Sequence, residues 1–491
     1  MKQAIENLIQ YEINQGVIDE RDRVYVRNQI YDLVGIVPSD VNLKPIPINF
    51  PSDALNIILD DMEKRALLSG TVVERDLFDA RIMNIFASLP SQVQYNFDTL
   101  YQERKSLATT WYFNYVKSLN YIRYDRILKN ESFSVDTDYG KLQITINLSK
   151  PEKDPKSIIL EGKSVSSEYP KCLLCLENEG FSGNYKRDSR HQHRIIKLSL
   201  NREDWYFQYS PYIYYPEHTI VFSASHRPMK IDQTTFKNLL NLVARFPGYF
   251  FGSNADLPIV GGSILSHDHY QGGKHEFPIE SAKVIKSYQK DDVNLQLLHW
   301  PLSTIRLISK TMKPLYGVAS KVLSAWRNYA NPKLNLQSFT GDTPHHTVTP
   351  IARFRNGHYE LDLILRDNQT SNEHPLGIFH PHSDKWHIKK ENIGLIEAIG
   401  LAILPPRLKT ELIDLKHHVI NQKPLAPESL KHQDWINDLM KKYTFTEDNF
   451  DKIMKNEIGV VFTKVLEDCG VFKQNDEGIH AFIAFIEKEI L

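Results

Sequence analysis

Two histidines and a glutamine at alternate positions are the residues in this chain best suited to chemistry. Residues 267–271 read His-Asp-His-Tyr-Gln, and on a β-strand the side chains of His267, His269 and Gln271 would project from one face. The run Gly261-Gly262-Ser263 stands just upstream, and such a stretch lets backbone N–H groups approach an anion closely. Imidazole beside a phosphate-binding loop predicts attack of a histidine on phosphorus.

Gln271 restricts what that attack can achieve. An alkoxide or amine leaving group needs a general acid, but a carboxamide donates hydrogen bonds without supplying a proton. The triad therefore favours a leaving group and an acceptor that are already stable as anions, such as two sugar phosphates. We expect transfer between phosphates rather than hydrolysis.

A second candidate site begins at Cys172-Leu173-Leu174-Cys175. This spacing is compatible with two buried cysteines, with a redox pair or with a zinc knuckle. The surrounding sequence lacks a βαβ pattern, which disfavours the redox interpretation. A knuckle would need two more ligands, for which His226 and His267 are the candidates, and would hold a structural zinc ion under the active strand.

The elements that must position these residues follow from the hydrophobic periodicity, which changes along the chain. Residues 2 to about 125 keep helical spacing, whereas the alternation over 142–148 is typical of a strand. Further strand-like runs, a helix at 232–245 and the histidine run then predict an antiparallel α+β unit. A second mixed region includes an alternating segment at 359–365 and a predicted helix near 391–403.

The predicted fold class is α+β, with two histidine-triad-like antiparallel sheet units and helical additions at both ends. We expect four parts: a helical accessory region (1–130), a first half with the catalytic run (131–297), a second half (298–404) and a helical C-terminal region (405–491).

Composition limits the partners. With 59 basic and 60 acidic residues the net charge is −1, so no global field attracts nucleic acid or anionic membrane. No uncharged apolar run approaches the roughly 18–20 residues that span a bilayer, and residues 1–6 lack the apolar core of a signal peptide. Only three cysteines occur, which favours a reducing cytoplasm over a disulfide framework. We therefore expect a cytoplasmic protein without nucleic-acid or membrane partners.

Longer motifs carry a family resemblance. The run Gln-Tyr-Ser-Pro-Tyr-Ile-Tyr-Tyr-Pro-Glu-His at 208–218, followed by 219–226, looks like the strand-turn-strand entry of the histidine-triad superfamily. With the Gly-Gly-Ser and His-x-His-x-Gln runs, the chain resembles the galactose-1-phosphate uridylyltransferase family. The segments 266–273 and 389–397 are similar to the second sequence type of that family, which is found in bacteria.

The resemblance implies uridylyl transfer from UDP-glucose to galactose 1-phosphate, in a ping-pong reaction through a uridylyl-histidine. It makes His269 the nucleophile and Gln271 the residue that holds the phosphoryl oxygens. It also implies a homodimer, a structural zinc site and no organic cofactor. The residues that match the family's nucleotide or phosphate contacts are Asn254, Gly261, Gly262 and Ser263. Those that match its zinc ligands are Cys172, Cys175, His226 and His267.

Other polar residues lie outside these motifs. Arg366 and Asn368 close the alternating segment at 359–365 and could contact the hexose. The adjacent His345 and His346 could be solvated or face the substrate. They are also, with His275 and Glu276, candidates for a second metal site that no motif assigns.

Two departures and two alternatives remain open. The family's first sequence type has proline between the triad histidines, whereas this chain has Asp268, and the spacing from Ser263 to His267 is one residue longer. A related nucleotide phosphorylase or adenylyltransferase is one alternative. A zinc-stabilised nucleotide-binding protein without turnover is the other.

Overall fold

The computed structural model describes residues 1–38, 43–149, 169–262 and 264–491. Ser263, one of the predicted phosphate contacts, lies outside these residues. The chain divides into two compact units, each described here by itself. The first comprises Met1–Lys129 and Ser149–His226, and the second comprises Asn130–Leu148 and Arg227–Leu491.

Helices and strands are numbered along the chain. The α-helices of the described residues are α1 (Lys2–Asn14), α2 (Arg23–Leu33), α3 (Pro51–Lys64), α4 (Val72–Asn84), α5 (Pro90–Glu103), α6 (Lys105–Ser118), α7 (Tyr124–Ile127), α8 (Gln233–Arg245), α9 (Met312–Asn328), α10 (Leu395–Ala398), α11 (Arg407–Asn421), α12 (Gln433–Lys442), α13 (Phe450–Cys469) and α14 (Asp476–Phe485). The strands are β1 (Glu131–Thr137), β2 (Gly140–Ile146), β3 (Ile196–Leu200), β4 (Glu203–Tyr209), β5 (Thr219–Ser223), β6 (Phe250–Gly252), β7 (His269–Gly273), β8 (Lys283–Lys290), β9 (Val293–His299), β10 (Thr304–Ser309), β11 (Phe339–Thr340), β12 (Thr343–Pro344), β13 (His346–Arg355), β14 (His358–Asp367) and β15 (Leu401–Leu404).

The first unit combines helices α1–α7 with the antiparallel strands β3, β4 and β5. In α1 the side chains of Ile5, Leu8 and Ile9 recur on one helical face, and all three are fully buried. In β3 the buried residues Ile196 and Leu198 alternate with exposed ones, the pattern of a strand with one face in the core. The prediction of a helical N-terminal segment is confirmed.

The second unit contains an antiparallel sheet in the order β7-β6-β13-β14-β10-β9-β8. Helix α8 packs against β6 and β13, and α9 against β10 and β13. The apolar stripe predicted for the helix at 232–245 is buried in α8, where Phe236, Leu239 and Leu240 have no exposed surface. Asp232 caps α8 by accepting hydrogen bonds from the N–H groups of Thr234 and Thr235.

A smaller sheet in the second unit corrects one prediction. The helix expected near 391–403 is only α10, because Gly400 adopts a φ of +106° and the chain then forms β15. This strand lies parallel to β2, which in turn pairs with β1. A short apolar run such as Leu401–Leu404 fits a buried strand as well as a helix, so periodicity alone could not distinguish them.

The predicted α+β class is confirmed, with antiparallel pairing in both units and helices at both ends of the chain. The four-part division at residues 130, 297 and 404 stays a prediction. Among the described residues, no helix combines the length and the apolarity needed to cross a membrane.

A buried ion-pair network joins the middle strands of the large sheet. Asp362 on β14 has no exposed surface and accepts hydrogen bonds from Arg306 Nε at 2.7 Å and Arg353 Nη1 at 2.7 Å. Although burial alone would raise the pKa of Asp362, the two guanidiniums hold that pKa at about 2.

We predict that Asp362→Asn lowers the free energy of unfolding by about 3–5 kcal/mol, because the two buried guanidiniums lose their counter-charge. A depressed folded-state pKa adds stability above the unfolded pKa of about 4. The wild-type protein should lose that stability as pH falls from about 4 towards 2, and the variant should lose less. Urea unfolding at pH 7 and pH 3 measures both effects. Lys286→Met, which breaks an exposed ion pair with Glu487, is the control and should change stability little.

Candidate active site

The strand that carries the histidine run begins at its second histidine. Strand β7 starts at His269 and pairs antiparallel with β6, with Gly252 opposite Gln271. His267 precedes the strand, so strand alternation does not fix the direction of its side chain. Of the three triad residues, only His269 and Gln271 lie within β7, and alternation along the strand places these two side chains on one face.

The side chains of Asp268 and Tyr270, on either side of His269 in the sequence, have other partners. The Tyr270 hydroxyl accepts a hydrogen bond of 3.0 Å from Nδ2 of Asn238 on α8. The Asp268 carboxylate lies 3.3 Å from Nε of Arg227. Because successive side chains of a strand alternate, His269 faces the side of the sheet opposite α8.

One hydrogen bond sets the chemical state of His269. Its Nδ1 lies 2.8 Å from the backbone carbonyl oxygen of His267. A carbonyl oxygen can only accept a hydrogen bond, so Nδ1 carries the proton and donates the hydrogen bond. In the neutral ring Nε2 then holds a free electron pair, the form that a nucleophilic imidazole requires.

Burial keeps this ring neutral. His269 is only 6% exposed, and this burial lowers the pKa of its imidazole to about 4. The hydrogen bond to the His267 carbonyl raises the pKa, but its effect is smaller than that of burial. At neutral pH the side chain is therefore uncharged, with Nε2 unprotonated.

The glycine loop packs closely around Asn254. A Cβ atom on Gly261 would lie 2.6 Å from the carbonyl oxygen of Ala255, and one on Gly262 would lie 2.4 Å from Nδ2 of Asn254. Both positions therefore require glycine for close packing. Asn254 is itself buried, and its Oδ1 accepts a 2.8 Å hydrogen bond from the N–H of Leu395.

The two residues predicted to contact the hexose lie at the end of β14. Arg366 is 1% exposed and donates from Nη2 to the carbonyl oxygen of Ile393 at 2.8 Å. Oδ1 of Asn368 lies 2.8 Å from Nδ1 of His345. Both side chains are thus held by protein groups, and their contact with a hexose stays a prediction.

His345 and His346 are buried, so the solvated alternative is wrong for both. The ring of His346 stacks on Trp326 with 4.0 Å between ring centroids. Its Nε2 lies 2.9 Å from Oδ2 of Asp367. These contacts give His346 a structural role within the second unit.

The segment that follows Lys389 contains residues to which the sequence assigned no role in the site. Lys389 Nζ forms a buried ion pair with the Glu397 carboxylate, and the other carboxylate oxygen accepts from the N–H of Gly394 at 3.0 Å. A sequence signal existed: Glu397 follows Gly394 by three residues, the spacing of a helix-capping acid.

Family models match both parts of the chain. The model described as the N-terminal domain of galactose-1-phosphate uridyl transferase matches residues 17–228. The model of the C-terminal domain of the same family matches residues 237–437.

Curated bacterial proteins match over nearly the whole length. The galactose-1-phosphate uridylyltransferase of Clostridium acetobutylicum is 47% identical over 98% of this chain and 98% of its own length. That of Fusobacterium nucleatum is 44% identical over 98% of this chain and 97% of its own. The protein of the same description from Bacillus subtilis is 44% identical over 99% and 97% of the two chains.

The chain belongs to the galactose-1-phosphate uridylyltransferase family. The predicted family and the predicted enzyme class, nucleotidyltransferase, are confirmed, and so is uridylyl transfer as the activity. Among solved structures, a yeast Ap4A phosphorylase matches at 12% identity with a TM-score of 0.31, covering 61% of this chain and 91% of that chain.

This uridylyltransferase family member also carries a cysteine–histidine cluster that could hold a metal ion. In the first unit, Sγ of Cys172 lies 3.6 Å from Sγ of Cys175, which lies 3.1 Å from Nδ1 of His226. Tetrahedral zinc separates neighbouring sulfur and nitrogen ligands by roughly 3.5–3.8 Å. The Sγ–Sγ distance lies in this range and the Sγ–Nδ1 distance is shorter, so the donor types fit zinc, and Cys175 and His226 would separate slightly to hold it. His267 belongs to the second unit, and its role as fourth ligand stays a prediction.

The cluster also bears on the redox alternative for the Cys-x-x-Cys run. Burial raises the pKa of the Cys175 thiol to about 11. A redox-active cysteine needs a stabilised thiolate and therefore a lowered pKa. Cys175 therefore lacks the lowered pKa of a redox-active cysteine.

Proposed function

We propose that this chain transfers the uridylyl group of UDP-glucose to galactose 1-phosphate through a covalent intermediate on His269. The observation that carries the proposal is the hydrogen bond from Nδ1 of His269 to the His267 carbonyl, 2.8 Å long. It leaves Nε2 as the only ring atom able to attack phosphorus.

In the first half-reaction, Nε2 forms a bond to the α-phosphorus of UDP-glucose. The bond between that phosphorus and the bridging oxygen breaks, and glucose 1-phosphate leaves with the electron pair. The positive charge that develops on the imidazole is stabilised by the Nδ1–H bond to the His267 carbonyl. The ring needs neither to gain nor to lose a proton.

In the second half-reaction, a phosphate oxygen of galactose 1-phosphate attacks the same phosphorus. The phosphorus–nitrogen bond breaks, UDP-galactose forms, and the electron pair returns to Nε2. Both the leaving group and the acceptor are phosphate anions, so no general acid or base is required.

Gln271 fits this proton-free scheme. It lies on the same strand face as His269, so its amide can hydrogen-bond a phosphoryl oxygen. Because a carboxamide cannot remove a proton from water, hydrolysis of the intermediate receives no help from this residue.

The remaining contacts are proposed from the resemblance and the local geometry. Asn254, Gly261 and Gly262 pack into one loop and would bind the nucleotide phosphates together with Ser263. Arg366 and Asn368 would lie near the hexose.

We propose zinc as the ion of the cysteine–histidine cluster, with His267 as the fourth ligand beside Cys172, Cys175 and His226. A bound zinc ion would neutralise the two thiolates and fix the backbone at its ligands. Fixing His267 in this way would also fix its carbonyl oxygen, which accepts the hydrogen bond from Nδ1 of His269.

The proposal includes a cytoplasmic homodimer without nucleic-acid, membrane or organic-cofactor partners. The family resemblance supports the dimer, and a content of only three cysteines supports a reducing compartment.

We predict that His269→Ala abolishes the covalent intermediate, because no other atom replaces Nε2. Mass spectrometry of the protein mixed with UDP-glucose alone should show UMP on the 267–271 peptide of the wild type and none on the variant. His358→Ala is the matched control, because Nδ1 of His358 likewise bonds the carbonyl two residues earlier, at 2.8 Å. It should leave labelling unchanged.

Three outcomes would contradict this assignment. A UMP adduct on the His269→Ala protein would place the nucleophile elsewhere. Binding of UDP-glucose to the wild type without any adduct would favour a non-catalytic nucleotide-binding protein, and faster turnover of ADP-glucose than UDP-glucose would favour an adenylyltransferase.

We predict that Gln271→His raises the ratio of UDP-glucose hydrolysis to transfer by about tenfold or more, because a general acid and base enters the site. The measurement compares glucose 1-phosphate release with and without galactose 1-phosphate. Gln271→Ala separates loss of the amide from gain of the imidazole and should not raise the ratio. An unchanged ratio in the histidine variant would refute the role given to the carboxamide.

We predict that Cys175→Ser abolishes stoichiometric zinc binding and lowers the melting temperature, because a hydroxyl is a weak zinc ligand. Elemental analysis of the purified protein and thermal unfolding measure the two effects. Cys469→Ser replaces a cysteine of the second unit and should retain the zinc. Equal zinc content in both variants would exclude the cluster as the site.

A further inference from the structure

The carboxamide of Asn254 has a fixed orientation. Its Oδ1 accepts the N–H of Leu395 at 2.8 Å. A backbone N–H only donates, so the amide oxygen must face Leu395 and the NH₂ group must face away from it. The NH₂ group lies on the Gly262 side, where an added Cβ would come within 2.4 Å of Nδ2.

The register of the sheet directs this amide towards His269. The β6–β7 pairs end with Gly252 opposite Gln271. The same register, extended by two residues, would bring Asn254 opposite His269, and residues directly opposite one another share a face. The N–H of Ser253 also bonds the Pro350 carbonyl at 3.0 Å, so the backbone stays in the sheet beyond β6.

The Leu395 N–H is itself held in place by charged groups. One Glu397 carboxylate oxygen accepts from the Gly394 N–H at 3.0 Å, and the other pairs with Lys389 Nζ at 2.5 Å. Lys389 and Glu397 are both buried. Since a buried ion pair costs desolvation energy, a hydrophobic pair would stabilise the fold at least as well.

Arg366 holds the same segment through a second hydrogen bond. Its guanidinium donates to the Ile393 carbonyl at 2.8 Å, one residue before Gly394. Arg366 is fully buried and ends the strand alternation that first suggested a substrate contact. Its bond to Ile393 also connects β14 to the turn that holds Asn254.

We propose that Lys389, Glu397 and Arg366 are positioning residues that fix the Asn254 amide beside His269. This inference rests on the proposed function, because it requires a phosphoryl group at His269 for the Asn254 NH₂ group to contact. Lys389 and Glu397 act through the 393–395 backbone without touching the substrate. Arg366 holds the same backbone through its bond to Ile393, in addition to its proposed place near the hexose. Asn254 supplies the hydrogen bond to the transferring uridylyl group.

A double-mutant cycle tests this assignment. Lys389→Met should lower kcat/KM by about tenfold to a hundredfold, as the loss of a supporting residue commonly does, with most of the change in kcat. In an Asn254→Ala background the same change should have less than about a twofold effect, because the group it positions is already absent. Lys389→Arg, which keeps the charge, should recover part of the activity.

Controls separate positioning from folding. Lys442→Met breaks another pair with a buried glutamate, Glu457, at 2.8 Å and should leave kcat/KM unchanged. If Lys389→Met does not fold, Glu397→Gln replaces it in the cycle, because Lys389 keeps Glu391 as a partner at 3.4 Å.

The results distinguish this inference from the proposed function. Equal fold-losses with and without Asn254 would overturn the positioning role while the UMP adduct on His269 still forms in the wild type. Absence of that adduct in the wild type would overturn the proposed function and the inference together.

Discussion

The chemistry of this site depends on one backbone hydrogen bond, from Nδ1 of His269 to the carbonyl of His267. It selects the tautomer and leaves Nε2 unprotonated, and in the proposed mechanism it supports the positive charge of the uridylylated ring. The bond alone does not make a nucleophile, because His358 forms the same contact at 2.8 Å on a hairpin. His269 differs in being buried and in lying on the same strand face as Gln271. A nucleophilic histidine therefore needs a buried, uncharged ring as well as this tautomer.

The neutrality of His269 has a structural origin. Burial lowers its pKa to about 4, so the ring is uncharged at neutral pH without help from a nearby acid. A carboxylate in the position of Gln271 would raise the histidine pKa and repel the substrate phosphates. The carboxamide avoids both effects while still donating hydrogen bonds. The burial of His269 and the uncharged side chain of Gln271 therefore both favour the proposed transfer between anions.

The sequence predicted features that depend on neighbours in the chain. The helical N-terminal segment, the apolar stripe of α8 and the residue types of the histidine run all follow from local spacing. Strand β15 could not be predicted in this way, because its partner β2 lies far earlier in the chain. The direction of the His267 side chain could not be predicted either, because the sequence does not show that β7 begins at His269. Similarly, the alternation along β14 indicated which face Arg366 is on but could not indicate its hydrogen-bond partner, the carbonyl of Ile393.

The location of the buried charges connects stability with function. Arg306, Asp362 and Arg353 compensate one another in the middle of the sheet, where they cross-link strands. Lys389 and Glu397 instead lie at a turn that binds Asn254, and apolar residues could fill that space at no loss of stability. A charged pair fixes direction more strictly than apolar contacts do, because its hydrogen bonds are directional. A turn that must hold one amide at a fixed angle beside a nucleophile has a reason to retain such a pair, whereas a turn needed only for folding does not.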